Sequence, residues 1–214
     1  MKIQSTLKLK NILIEKLKKK GINNSDILDA ILNLDRENFI PKAFSNVAYE
    51  DNALPIAENQ TISQPYTVAF MTSLLDVKPE QKILEIGTGS GYQAAILEKL
   101  GAEVYTIERI KKLHESSNII FKKLNININS KLDDGTKGWI QKAPFDSIII
   151  TAATPKIDDI LLNQLNNEGK LLAPIGDKQS QTMTLFTLIN GKIIKKEFGN
   201  FKFVPLIGKN GFDG

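Results

Sequence analysis

The segment best suited to chemistry is the run EIGTGSG at residues 85–91. Its three glycines let the backbone turn sharply and approach a ligand closely. A short apolar run precedes it and a helical stretch follows, so the free N–H groups of a helix N-terminus face the turn. Loops of this kind, at the carboxyl end of a parallel strand, bind nucleotides.

The carboxylate of Glu85 narrows the choice of ligand. The dinucleotide motif is GxGxxG, whereas this chain has GxGxG followed by Tyr92. A carboxylate two residues before the first glycine repels a pyrophosphate and attracts a cation. The sulfonium and the amino group of S-adenosylmethionine are both cationic. The residues therefore favour S-adenosylmethionine over a nicotinamide dinucleotide as the cofactor.

Two further acids end the next two predicted strands. Glu108 is placed to accept hydrogen bonds from ribose hydroxyls. Asp134 is placed to accept from the adenine amino group, and Gly135 would let the ring approach. Each acid has a plainer interpretation: Glu85 as a surface charge, Glu108 as a cap and Asp134 as a turn residue. Three acids at consecutive strand ends beside a glycine loop favour the cofactor site.

The chain offers few groups for acid–base or nucleophilic catalysis. It has no cysteine and one histidine, His114, which falls in a predicted helix away from the reacting methyl group. The strand that follows Asp134 ends in TAATP (151–155), not in the Asp/Asn-Pro-Pro-Tyr type of sequence that holds an exocyclic amine. Because a carboxylate is ionised at neutral pH, the sequence predicts an acceptor that arrives already nucleophilic. Methyl transfer then depends mainly on proximity and alignment.

Polar residues precede a predicted core helix in the run NQTISQPY (59–66). The hydroxyls and N–H groups around Thr61, Ser63 and Gln64 are suited to hold a carboxylate without neutralising it. The alternative is that Ser63 or Gln64 caps the helix that begins at Pro65.

The elements that position these residues follow from hydrophobic periodicity. Helices are expected at 7–20, from an N-cap at Ser25 to residue 38, and at 65–75, 91–100, 110–124 and 155–165. Strands are expected at 82–87, 102–109, just before 132, at 145–153 and at 169–176. A hairpin with an Asn190-Gly191 type I′ turn joins 182–189 to 192–198, a strand or loop follows at 201–208, and 42–64 is irregular. This alternation predicts an α/β fold with a mostly parallel sheet and a C-terminal antiparallel hairpin.

Composition restricts the class of protein. The chain has 214 residues, 42% of them hydrophobic and 24% charged, which predicts a single domain over 1–214. Within it, 1–64 would supply N-terminal helices and a substrate-side segment, and 65–214 the cofactor-binding core and C-terminal strands. The lack of cysteine and the single histidine exclude thiolate and His-rich metal sites, so no metal is expected.

Charge and hydropathy set expectations for partners and location. The net charge of +4 is spread along the chain, so no nucleic-acid partner is expected. No apolar stretch reaches the length of a membrane span, and the N-terminus lacks a signal-peptide core. The sequence predicts a cytoplasmic monomer without a membrane partner.

Seven segments of the chain match one known family. They are TISQPY (61–66) and FVPL (203–206), the two most specific, with ENFIPKAF (37–44), AYEDNALPI (48–56), ILEIGTGSGYQAA (83–95), APFDSIIITAATP (143–155) and GKLLAPIG (169–176). In these segments the chain resembles the protein-L-isoaspartate (D-aspartate) O-methyltransferase family. The resemblance covers nearly the whole chain from about residue 35, and departs from the family at Asp133, where the family commonly has glycine.

The resemblance implies a fold and a reaction. The fold would be the class I S-adenosylmethionine-dependent methyltransferase sandwich, which is Rossmann-like, with added N-terminal helices. The reaction would transfer a methyl group from S-adenosyl-L-methionine to the α-carboxylate of L-isoaspartyl, and possibly D-aspartyl, residues. The partners would be damaged peptides and proteins, in which the ester collapses to a succinimide that reopens partly to aspartate.

The resemblance also assigns site residues. Ser63 would be the catalytic residue, and the backbone of 204–206 would pair with an extended peptide. Substrate-binding residues would be Thr61, Ile62, Gln64, Val204, Pro205 and Leu206. Cofactor-binding residues would be Glu85, Gly87, Thr88, Gly89, Glu108, Arg109, Asp134 and Gly135.

Two alternatives remain open from the sequence. A small-molecule or RNA methyltransferase would share the same core, although the TISQPY and FVPL segments argue against it. A non-catalytic binding module would also share the core, although Glu85, Glu108 and Asp134 are all retained.

Overall fold

A seven-stranded sheet with helices on both faces forms the centre of the molecule. The computed structural model describes residues 2–213. The helices are α1 (Lys2–Lys19), α2 (Ser25–Asn33), α3 (Pro65–Leu75), α4 (Tyr92–Lys99), α5 (Lys111–Leu124) and α6 (Asp159–Leu162). The strands are β1 (Leu54–Pro55), β2 (Thr61–Ile62), β3 (Lys82–Ile86), β4 (Glu103–Glu108), β5 (Ile128–Leu132), β6 (Phe145–Ile150), β7 (Leu165–Gly176), β8 (Gln181–Ile189) and β9 (Lys192–Phe201).

The strand order in the large sheet is β5-β4-β3-β6-β7-β8-β9. Strands β3 to β7 pair in parallel. Strand β8 is antiparallel to both of its neighbours, β7 and β9. The order reverses between β3 and β6, so a crevice opens at the carboxyl ends of these two central strands. The hairpin turn has positive φ at Asn190 (49°) and Gly191 (74°), which confirms the predicted type I′ geometry.

Two apolar cores cover the two faces of the sheet. Side chains alternate along a strand, so Ile149 enters one core while its neighbours Ile148 and Ile150 enter the other. Helices α1 to α5 contribute to the larger core, and α6 with the segment around Trp139 covers the smaller one. Buried on both faces, the central strands form a rigid support for the loops at their carboxyl ends.

The second helix is shorter than its periodicity predicts. Asn24, not Ser25, is the N-cap, since its side chain accepts from the N–H of Ile27 at 3.2 Å. The helix ends at Asn33, and residues 36–39 form a separate 3-10 turn. The predicted continuation to residue 38 is wrong because Arg36 turns inward to bind backbone carbonyls of later segments.

The helix expected at 155–165 is also wrong for most of its length. Only Asp159–Leu162 is helical, capped by Asp158, whose side chain accepts from the N–H of Ile160 at 2.9 Å. Strand β7 begins at Leu165, which pairs with Phe145 before a register shift. The end of the segment that local periodicity assigns to a helix, Gln164 and Leu165, therefore pairs with Phe145 of β6.

The segment 42–64, expected to be irregular, contains short ordered pieces. Residues 42–47 form a 3-10 helix, and β1 pairs antiparallel with β2. This pairing fixes the strand that leads directly into Ser63. Among the described residues, no helix combines the length and apolar character needed to cross a membrane.

Candidate active site

At two positions of the glycine loop between β3 and α4, only glycine fits. Gly87 has φ of +99°, and a Cβ there would lie 2.6 Å from Thr151 Oγ1. Gly91 has φ of +87°, and its Cβ would lie 2.6 Å from the ring of Phe121. Left-handed backbone and close neighbours together require glycine at both positions.

Glu108, the last residue of β4, forms a hydrogen bond with this loop. Its Oε2 accepts from the N–H of Gly89 at 2.8 Å, and its Oε1 accepts from the N–H of Ile110 at 2.9 Å. A carboxylate oxygen has more than one lone pair, so both oxygens retain acceptor capacity. The plainer interpretation of Glu108 as a cap and its predicted role toward ribose hydroxyls are therefore compatible.

Glu85 is fully buried at the end of β3, with 0% of its surface exposed. Thr106 donates to its Oε2 at 2.5 Å, while Oε1 has no hydrogen-bond partner. Burial raises the pKa of the Glu85 carboxyl from 4.5 to about 8, and the Thr106 hydrogen bond opposes that shift. The plainer interpretation of Glu85 as a surface charge is wrong, because the side chain has no contact with solvent.

Ser63 follows β2 and is anchored through its backbone. Its carbonyl accepts from Arg36 Nη2 at 3.1 Å. The guanidinium, 1% exposed, also donates to the carbonyls of Ala48 (2.8 Å) and Asn52 (3.0 Å). One buried arginine therefore ties the Ser63 segment to the 48–52 segment.

The helix that begins at Pro65 is not capped by Ser63 or Gln64. Gln64 occupies the N-cap position without a side-chain capping bond, and its amide donates to the Asp51 carbonyl at 2.8 Å. Asp51 Oδ1 accepts instead from the N–H of Tyr66 at 2.8 Å. The capping alternative for Ser63 is thus wrong, and its hydroxyl is not used to start the helix.

Two adjoining hollows meet beside Ser63. The first, here called the inner cavity, runs from the glycine loop to residues 204–207. The second, here called the outer groove, lies between α3 and residues 198–204. Four residues line both: Thr61, Ser63, Thr151 and Val204. A ligand in one hollow can therefore touch a ligand in the other only near these side chains.

Most of the predicted site residues line the inner cavity, and three do not. Those on its wall are Thr61, Ile62, Ser63, Glu85, Gly87, Thr88, Gly89, Glu108, Arg109, Val204, Pro205 and Leu206. Gln64 lines only the outer groove. Asp134 and Gly135 line neither hollow.

The contacts of Asp134 are structural in this chain. Its Oδ1 accepts from the N–H and the hydroxyl of Thr136, at 3.0 and 2.7 Å, and its Oδ2 accepts from the N–H of Lys209 at 2.9 Å. Gly135 packs against Ile86, whose Cγ2 would lie 2.5 Å from a Cβ at that position. The roles predicted for both residues toward adenine stay predictions.

The FVPL segment lies beside the end of β6. The N–H of Ala153 donates to the Val204 carbonyl at 2.8 Å, and the N–H of Leu206 donates to the Ala153 carbonyl at 2.7 Å. One edge of the segment is therefore already paired, with Pro205 opposite Ala153. Any peptide that pairs with this segment must use its other edge.

Sequence reasoning missed Arg36, Thr106 and Thr151. Thr151 Oγ1 donates toward the Gly87 carbonyl at 2.6 Å, which ties β6 to the glycine loop where the two hollows meet. Thr106 is a polar residue between the buried Tyr105 and Ile107 of β4, and that signal could have marked it. His114, in contrast, lies on α5 beside Asn118 and lines neither hollow. The described residues include no cluster suited to a metal ion.

Comparisons with known proteins agree on one family. The family model described as protein-L-isoaspartate(D-aspartate) O-methyltransferase (PCMT) matches residues 8–211. A Chlorobium limicola protein named protein-L-isoaspartate O-methyltransferase is 46% identical over 203 residues, covering 94% of each chain. A Chlorobaculum tepidum protein of the same name is 49% identical over 201 residues, again covering 94% of each.

Solved structures give the same result at lower identity. One protein-L-isoaspartate O-methyltransferase superposes with a TM-score of 0.86 at 26% identity, covering 94% of this chain and 67% of that one. A Plasmodium falciparum protein described by the same activity, in complex with S-adenosyl-L-homocysteine, gives 0.80 at 28% identity, covering 91% and 96%. A precorrin methyltransferase from Geobacter metallireducens, 13% identical with a TM-score of 0.51, shares the fold alone and covers 69% and 90%.

Proposed function

The chain belongs to the protein-L-isoaspartate(D-aspartate) O-methyltransferase family, and we propose that methyl transfer takes place where its inner cavity meets its outer groove. The protein is a methyltransferase with the class I fold, and S-adenosyl-L-methionine is its cofactor. It methylates isoaspartyl residues in proteins, a reaction of protein repair. We infer the roles of individual residues from their contacts.

The inner cavity fits the cofactor by the chemistry of its wall. Two residues of that wall, Glu85 and Tyr92, each have a buried polar atom without a hydrogen-bond partner, Oε1 and Oη respectively. Buried polar atoms in native proteins are nearly always partnered, so these two indicate a polar ligand. A cationic ligand with N–H donors suits an unpartnered carboxyl oxygen, and hydroxyl-bearing ribose suits the acceptors of Glu108.

The chemistry needs no proton transfer. When bound, S-adenosyl-L-methionine would supply a sulfonium-activated methyl carbon, to which the carboxylate oxygen bonds while the C–S bond breaks and its electron pair returns to sulfur, leaving S-adenosyl-L-homocysteine. Ser63 holds the acceptor carboxylate by donating its hydroxyl hydrogen, and it removes no proton. A neutral donor leaves the carboxylate nucleophilic, whereas a direct ion pair would stabilise its charge and slow the attack.

Arg36 positions Ser63. Its guanidinium fixes the Ser63 carbonyl together with two carbonyls of the 48–52 segment. Thr151 holds the glycine loop by donating to the Gly87 carbonyl. Alignment of acceptor and donor supplies most of the rate in a displacement of this kind, so Arg36 acts through the Ser63 backbone and Thr151 fixes the glycine loop where the two hollows meet.

The observation that carries the proposal is the overlap of the two hollows at Ser63 and Thr151. Its test is methyl transfer from labelled S-adenosyl-L-methionine to two peptides that differ only in L-isoaspartate or L-aspartate at one position. We expect a base-labile label on the isoaspartyl peptide alone. Label on RNA or on neither peptide, with intact cofactor binding, would refute the assignment of the substrate.

We also propose that the protein acts as a monomer in the cytoplasm and binds no nucleic acid. Residues of one chain form both hollows, and the net charge of +4 is spread rather than concentrated. Light scattering on the purified protein, subcellular fractionation and an RNA-binding titration test the three statements separately.

A further inference from the structure

Five aromatic side chains form one wall of the outer groove. Tyr66 and Phe70 come from α3, Phe198 and Phe201 from β9, and Phe203 follows that strand. Their rings touch in sequence: Tyr66 and Phe70 stack at 5.7 Å, Phe70 and Phe201 stack at 5.5 Å, and Phe201 lies 6.4 Å from Phe203. All five are only partly buried. The groove thus exposes a continuous aromatic surface to solvent.

A β-bulge builds this wall. Phe198 and Phe201 are three residues apart, and in a regular strand they would point to opposite faces. The pairing of β8 with β9 passes from Thr182↔Asn200 to Met183↔Phe198, which leaves Gly199 as an extra residue with φ of +47°. An extra residue changes the phase of the strand. Both rings consequently contact Phe70, at 6.3 and 5.5 Å between centroids.

The charge around the wall is positive. Lys20 Nζ lies 5.0 Å from the Tyr66 ring centroid, and Lys196 Nζ lies 5.1 Å from that of Phe198. Lys202 lines the groove itself. Lys20 is paired with Asp51 at 2.6 Å, but among the described residues no acidic side chain lines the groove. An anionic polypeptide complements this surface better than a cationic one.

The groove is continuous with the point of methyl transfer. It shares Thr61, Ser63, Thr151 and Val204 with the inner cavity. A carboxylate held at Ser63 belongs to an isoaspartyl residue, whose polypeptide must leave the site on the side away from the cofactor. The outer groove is that side, so its occupant is the substrate chain next to the isoaspartyl residue.

We propose that the outer groove selects substrates by enclosing a large apolar side chain next to the isoaspartyl residue, and that its lysines favour acidic neighbours. This inference rests on the proposed function and deepens it. An enclosed phenylalanine or leucine should lower KM about tenfold relative to serine at the same position, and the residue concerned should lie within about three positions of the isoaspartyl residue.

The experiment compares isoaspartyl peptides that differ at one position. Phenylalanine replaces serine at each of the three positions on either side, and KM and kcat are measured for each peptide. The same series is run on Phe201→Ala and on the control Ile194→Ala, which removes an exposed apolar side chain from the same strand outside the groove. We expect one position to show the tenfold KM preference in the wild-type and control proteins, and about twofold or less in Phe201→Ala.

Each outcome has one meaning. If no isoaspartyl peptide is methylated, the proposed function itself fails. If all peptides are methylated with equal KM, or if Phe201→Ala keeps the full preference, the groove proposal alone fails. A second set with glutamate or lysine beside the isoaspartyl residue tests the charge: equal KM for both would overturn that part.

A variant-free measurement covers the case in which Phe201→Ala does not fold. A photoreactive benzoylphenylalanine is placed at the preferred position and cross-linked to the wild-type protein. Adducts on the β9 segment or α3 support the proposal. Adducts confined to other surfaces overturn it.

Discussion

Protonation of Glu85 should make cofactor affinity depend on pH. The carboxyl is fully buried without a cationic partner, and burial raises its pKa from 4.5 to about 8 against the opposing hydrogen bond from Thr106. At pH 7, about one unit below that pKa, roughly 90% of the molecules carry the proton. A cationic ligand in the inner cavity favours the carboxylate, so Glu85 must lose this proton to gain the attraction.

The size of the effect follows from the pKa. Ionising Glu85 at pH 7 costs about 1.4 kcal/mol, which is about tenfold in affinity. Relative to Glu85→Gln, the affinity for S-adenosyl-L-methionine should therefore rise about tenfold between pH 7 and pH 9, be about tenfold lower at pH 6 than at pH 7, and level off above the pKa. Binding at pH 7 should release close to one proton, about 0.9 by the same arithmetic.

Calorimetric titration in two buffers of different ionisation enthalpy measures that proton release. Glu85→Gln is the matched control because it keeps the shape of the side chain and cannot ionise. The amino group of the ligand titrates identically in both experiments, so the difference between the two proteins isolates Glu85. S-adenosyl-L-homocysteine lacks the sulfonium charge and should release less. Equal proton release by wild type and Glu85→Gln would refute the reasoning.

Three further changes test the site and its support. Ser63→Ala should lower kcat or raise the peptide KM while leaving cofactor affinity unchanged by calorimetry; a change confined to cofactor affinity would contradict the substrate-side role. Gly91→Ala should destabilise the protein by about 3 kcal/mol, because a left-handed residue costs about 1–2 kcal/mol and the Cβ meets the buried Phe121 ring. Urea unfolding, followed by the fluorescence of the single tryptophan, measures this loss of stability. A loss below about 1 kcal/mol would contradict the contact. Arg36→Met should lower the free energy of unfolding by about 3 kcal/mol or more, since three carbonyls lose their donor. Arg36→Lys keeps the charge but cannot bind all three carbonyls, so it should recover only part of that stability in the same assay. Full recovery would show that charge alone matters.

Much of the fold could be predicted from the sequence because its signals are local. The alternation of apolar runs with helical stretches marks β3, α4, β4 and α5 within a few residues, since both periodicities are written in consecutive side chains. The Asn190-Gly191 turn is equally local, because positive φ at two successive positions is what those residue types allow. The predictions that failed, at the end of α2 and at 155–165, lie where a side chain or the backbone binds a distant segment.

The candidate site likewise has features that the sequence predicts and features that it does not. The glycine loop, Glu85, Glu108 and Ser63 could be singled out because their residue types and positions at element ends carry a chemical meaning. Parallel strands bring their carboxyl ends to one edge of the sheet, so the topology alone places three of these features together. The burial of Glu85 and its raised pKa could not be read from the chain, because desolvation depends on everything packed around the side chain.

Tertiary structure decided the parts that join distant segments. Arg36 binds carbonyls 12, 16 and 27 residues away, and no local pattern specifies such partners. Asp134, which the sequence singles out as a candidate cofactor ligand, also accepts from the N–H groups of Thr136 and of the distant Lys209. The single extra residue at Gly199 places two phenylalanines on one face against Phe70. The sequence by itself determined which elements form and which residues have suitable chemistry; packing between those elements determined which of them meet, because contacts across the chain depend on all of its segments at once.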